Sequence, residues 1–77
     1  MKVIYDPDRD ILQITLSDTT VEETARFAPG LVLDYDVDGN LIGLEIDKAS
    51  TKMDSPYAIS YCVGEANFDK PRPKELV

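Results

Sequence analysis

The sequence predicts a mainly β fold, with α+β as a small variant: an antiparallel meander of five to six strands around a central hairpin, Leu31 to Ile46. A short helical turn after Ile46 and an extended C-terminal tail complete it. Three observations carry this reading. Short segments alternate apolar and polar residues with the period of two that a half-buried strand requires. Turn formers (DPDRD, PG, DG) separate these segments at short intervals. The hairpin LVLDYDVDGNLIGLEI satisfies turn chemistry and apolar pattern at once. A two-residue type I′ turn at Asp38-Gly39 sets Leu31 opposite Ile46, Leu33 opposite Leu44 and Tyr35 opposite Ile42, all on one face. A slip of one residue divides that apolar set between the two faces.

Taken in order, Val3-Ile4-Tyr5 and Leu12-Gln13-Ile14-Thr15-Leu16 are strands joined through the DPDRD turn. A turn centred on Asp8-Arg9 opposes Tyr5 to Leu12 and Val3 to Ile14. Ser17 to Thr20 breaks the chain, and Val21 to Phe27 alternates imperfectly because Glu23 interrupts its apolar side. That interruption predicts an edge strand or a frayed strand end. Pro29-Gly30 turns into the hairpin, where Gly43 falls opposite Asp34, leaving room for an aromatic ring or marking a β-bulge. Asp47 is the expected N-cap of a helical turn through Met53. Tyr57 to Val63 is expected as a sixth strand or a covering segment, with Ile59, Tyr61 and Val63 on one side. The domain is expected to span residues 1–65, with 66–77 as the tail.

The resulting sheet face carries Val3, Tyr5, Leu12, Ile14, Leu16, Leu31, Leu33, Tyr35, Ile42, Leu44 and Ile46. Full burial of these eleven side chains would contribute about 15–30 kcal/mol gross, before the entropy of ordering is subtracted. Nothing after Ile46 is long or apolar enough to cover them, so a homo-oligomer, most simply a two-fold dimer, is expected.

Seventy-seven residues make one domain near the size at which a single core is marginal. With Cys62 as the single cysteine and no histidine, an intrachain disulfide is impossible and a His/Cys zinc site is not expected. Cys62 sits in an apolar run and is expected to be a buried, structural thiol in a cytoplasmic protein. The early Asp6-Pro7 leaves no room for a signal-peptide core, and no run reaches membrane-spanning length. A net charge of −7 disfavours direct contact with nucleic acid or anionic lipid and is compatible with a basic protein partner.

Tyr5-Asp6, Pro29-Gly30, the Leu33-Asp34-Tyr35-Asp36 run, Asp38-Gly39, Gly43-Leu44-Glu45-Ile46 and Ala49-Ser50 together resemble a known group. They are similar to the small prokaryotic proteins of domain-of-unknown-function family 2283 (DUF2283), over about residues 2–50. The resemblance implies a small β-rich domain with no assigned chemistry. Relatives encoded beside small toxin-like ribonucleases imply an antitoxin or regulatory binding role.

Asp34, Asp36, Asp38, Gly39 and Glu45 also fit the calcium-loop spacing D-x-D-x-D-G-x5-E. That motif needs flanking helices, whereas these flanks alternate as strands, so the same letters read as a hairpin with a polar outer face. Cys62 lacks a histidine base, and no catalytic residue or cofactor is expected. Tyr5, Tyr35, Tyr57 and Tyr61 form a further candidate patch, with packing as the simpler reading of the first two. The leading expectation is a non-enzymatic protein-binding module. A small metal- or ligand-binding protein using the acidic Asp34-to-Glu45 hairpin is the alternative, and an enzyme comes third.

Overall fold

In a computed structural model that describes residues 1–64, five strands form one open antiparallel sheet. They are β1 (Lys2–Asp6), β2 (Ile11–Thr15), β3 (Glu23–Ala28), β4 (Leu31–Tyr35) and β5 (Leu41–Asp47). One 3-10 turn, Ala49–Thr51, follows β5. Among the described residues no helix is long and apolar enough to cross a membrane. The expected tail, 66–77, lies outside the described residues.

The mainly β reading and the antiparallel pairing hold, and the order departs from a simple meander at one connection. Across the sheet the strands run β1-β2-β5-β4-β3, so β2 pairs with β5 rather than with β3. This is a Greek-key arrangement in which the β1-β2 hairpin docks on a three-stranded meander. Its physical reason is the distribution of large apolar side chains. β3 carries Glu23 and Arg26 and takes the edge, where water remains, one of the two placements that the interruption at Glu23 predicts. β5 carries Ile42, Leu44 and Ile46 and takes the centre. Residues 16–22 carry the chain over three strand spacings, about 14 Å, which seven residues reach easily. Glu22 N–H donates to the Tyr35 carbonyl (2.8 Å) and secures the far end of that crossing.

The first hairpin has the expected register, Tyr5 opposite Leu12 and Val3 opposite Ile14. Asp6 Oδ1 accepts from the amides of Asp8 (3.0 Å) and Arg9 (3.3 Å), so the aspartate builds the turn it precedes. In the central hairpin Leu31 faces Ile46, Leu33 faces Leu44 and Asp34 faces Gly43 as expected, but Tyr35 faces Leu41, not Ile42. The loop also differs. Gly39 N–H donates to the Asp36 carbonyl (3.0 Å), closing a turn over Val37-Asp38, and only Gly39, at φ 84, has positive φ. It is a three-residue loop ending in a left-handed glycine, not a type I′ turn. A bulge at Ile42 absorbs the one-residue difference, which is why the apolar pairs beyond it keep their expected register.

Two cross-strand rows form the apolar face: Val3, Ile14, Leu44, Leu33 and Ala25, then Tyr5, Leu12, Ile46, Leu31 and Ala28. The core beneath it is thin. Leu12, Ile42 and Ala49 are the buried hydrophobic residues described, and none of the larger side chains is completely enclosed. Of the eleven expected face residues, Leu12 and Ile42 are buried, Val3 and Leu16 are exposed, and the rest are half-buried. Tyr57 to Val63 does not form a sixth strand. Pro56 is buried and Tyr57 stands edge-on to Tyr5 (5.0 Å between centroids), after which Ile59, Tyr61 and Val63 are exposed. Cys62 is exposed for the same reason, contrary to the buried thiol expected of it.

Candidate functional site

Three groupings of side chains stand out. The first lies at the end of the sheet where the β1-β2 turn meets the 3-10 turn. Asp10, at φ 55, adopts the left-handed conformation that aspartate tolerates better than most residues. From there its carboxylate accepts three hydrogen bonds: Tyr5 Oη to Oδ1 (2.7 Å), Ser50 N–H to Oδ1 (2.9 Å) and Ser50 Oγ to Oδ2 (2.6 Å). Ala49 N–H donates to the Asp10 carbonyl (3.0 Å).

Asp10 therefore satisfies the free amides at the start of the 3-10 turn from forty residues away in sequence. Asp47, the expected cap, does not perform this role. Lys48 is the cap residue, left-handed at φ 52, with no side-chain cap bond. The Asp47 carbonyl instead accepts from Lys52 Nζ, which lies over Gly30.

Hydrogen bonds to the ionised form hold Asp10 below the ordinary carboxylate range, Ser50 foremost and Tyr5 second. The same Asp10 contact, with desolvation and neighbouring negative charge, pushes Tyr5 up to about 12. A carboxylate held this low is a poor general base, and a phenol held this high is a poor acid near neutrality. The grouping acts as a latch between the first hairpin and the 3-10 turn that follows β5.

Its pH dependence follows from those directions. Tyr5 favours its neutral form in the fold, so its contribution is present below pH 10.0 and lost as pH rises through about 12. Asp10 favours its charged form, so its contribution is present above pH 3.8 and lost as pH falls through its lower folded value. The melting temperature of Tyr5→Phe should accordingly fall less between pH 10 and 12 than that of the wild type. Superimposable alkaline melting profiles would refute the latch.

The second grouping is the acidic hairpin. Asp34 lies over Gly43, where an added Cβ would come within 3.2 Å of the Ile14 carbonyl and 3.5 Å of Asp34 Oδ2. The space opposite Asp34 thus receives its own carboxylate rather than an aromatic ring, and Thr24 Oγ1 donates to Asp34 Oδ1 (2.9 Å). Asp36 Oδ1 accepts from the amides of Asp38 (3.0 Å) and Asn40 (2.8 Å), and Asp36 Oδ2 from Asn40 Nδ2 (3.2 Å). These bonds lower its pKa, the Asn40 amide most of all. Glu45 sits one row further along, opposite Gln13 and Val32. Asp34, Asp36, Asp38 and Glu45 are not brought together, and among the described residues no cluster of three or more His, Cys, Asp or Glu side chains has metal-binding geometry.

The third grouping is the apolar sheet face with the segment that leaves its rim at Tyr57. Sequence alternation located the face, but its exposure depends on what packs over it. An open cleft of about 310 Å³ lies at the opposite end of the sheet from Asp10, lined by Met1, Lys2, Thr15, Leu16, Ser17 and Asp18.

Comparison with known proteins adds a family and no chemistry. No curated protein and no solved structure matches the chain. Residues 2–50 match the family described as protein of unknown function (DUF2283). The match begins with the first residue of β1 and ends at Ser50, whose hydroxyl closes on Asp10, so it spans the whole sheet and its latch. The chain belongs to the DUF2283 family.

Proposed function

We propose that this chain is a cytoplasmic, non-enzymatic protein-binding module whose contact surface is the apolar face of the sheet. One observation carries the reading: Tyr5, Ile14, Leu31, Leu33, Tyr35, Leu44 and Ile46 are only half-buried, and Val3 is exposed, on a single continuous face. A sheet face of that composition is stable when a second layer covers it. The polar groupings support the same reading, because Asp10 and Asp36 spend their hydrogen-bonding capacity inside the chain. With a net charge of −7, outside partners that approach the rim are favoured when basic.

A photo-crosslinking amino acid placed at Val3 and, separately, at Gln13 on the opposite face tests it in the native host. Protein adducts are expected from Val3 and not from Gln13. No intermolecular adduct at Val3, or equal adducts at both, would count against the sheet face as a contact.

A further inference from the structure

We infer that the occupant of the sheet face is a second copy of this chain, packed face to face into a two-layer sandwich that includes the Tyr57-to-Val63 arms. This rests on reading the face as a protein contact. Three observations select a second copy.

The first is the thin core. With Leu12, Ile42 and Ala49 as the buried hydrophobic residues described, the sheet needs its cover as part of its ground state. A partner encoded by the same chain is always present at matching amount.

The second is charge. Across a two-fold axis one surface supplies both sides of the contact, so a chain of net charge −7 tolerates self-contact best where that surface carries no charge. The two apolar rows contain no ionisable group except the Tyr5 phenol, and Glu23, opposite Tyr35, stands at the margin. Lys2, Asp6, Arg26, Asp34, Glu45 and Asp47 occupy the alternate positions of the other face.

The third is area. Five strands at about 4.8 Å spacing and five residues at about 3.3 Å rise give about 400 Å² of flat face. A standard interface needs about 800 Å² of accessible surface from each partner. The arm closes much of that gap: Tyr57, Ile59, Tyr61 and Val63 are 76%, 55%, 83% and 76% exposed. It starts at the face, where Tyr57 meets Tyr5, so face and arm form one surface.

Sedimentation velocity of the full chain from about 1 to about 100 micromolar should show a dimer, with a melting temperature that rises with concentration. Leu33→Asp, at the middle of the face, should abolish it. Because that variant also threatens the fold, Tyr61→Asp provides the second arm of the test. Its side chain is exposed in the single chain, so the substitution should leave the sheet intact and weaken dimerisation by about tenfold or more.

A dimer whose dissociation constant is unchanged by Tyr61→Asp would overturn the proposed surface. A wild-type monomer that binds a hydrophobic dye strongly would overturn the second copy and leave the face as a contact for another protein. A wild-type monomer that binds no dye would overturn both.

Discussion

Leu12→Ala is expected to lower stability by about 2–4 kcal/mol, the range for removing a well-buried leucine side chain. Leu12 is 3% exposed and sits between Tyr5 on β1 and Ile46 on β5, so it joins the first hairpin to the rest of the sheet. In a domain of this size the total stability is itself only several kcal/mol, and such a loss would leave a large unfolded fraction at ambient temperature. Val37→Ala is the matching control. Val37 is 76% exposed in the hairpin loop, and its truncation should change stability by less than about 0.5 kcal/mol. Urea denaturation of the two variants at equal protein concentration measures both. Equal midpoints would mean that Leu12 does not hold the hairpins together.

Gly39→Val is expected to cost about 1–3 kcal/mol through the backbone alone. At φ 84 Gly39 occupies a region that a β-branched residue reaches only under strain. An added Cβ would meet nothing within 4 Å, so steric collision does not confound the measurement. Gly39→Asn separates conformation from the mere presence of a side chain, because asparagine tolerates left-handed geometry. It should lose distinctly less stability than the valine variant. A Gly39→Val denaturation midpoint indistinguishable from wild type would remove the left-handed glycine from the loop.

Much of the fold was legible because its signals are local. Period-two alternation marked all five strands, and the Asp6, Pro29-Gly30 and Asp38-Gly39 turns marked where they end. Even with the loop type misread, the register of Leu31 to Leu33 against Leu44 to Ile46 was recoverable, since any other pairing exposes one apolar set. Glu23 marked either an edge strand or a strand end, and it stands at both, as the first residue of the edge strand β3. The acidic hairpin was legible as an outer face because Asp34 and Glu45 occupy the positions that alternate with the apolar rows. The spacing of its carboxylates by itself did not establish a ligand site.

The tertiary structure decided what depends on pairs far apart in the chain. That β5 rather than β3 lies beside β2 follows from which strand can bear burial on both sides, a competition no single segment reveals. Asp10 lies in a turn-rich run that any hairpin might contain. Its role arises only when folding brings it to Ser50, where the unpaired amides of the 3-10 turn need an acceptor. The bulge at Ile42 is likewise a compromise between a loop that prefers three residues and a face that prefers its register. Tyr57 to Val63 has the alternation of a strand, yet its apolar side chains and Cys62 remain exposed beyond the contact of Tyr57 with Tyr5. Alternation states which residues seek a common cover. The cover itself is a long-range contact, and its free energy comes from surfaces that are not neighbours in sequence.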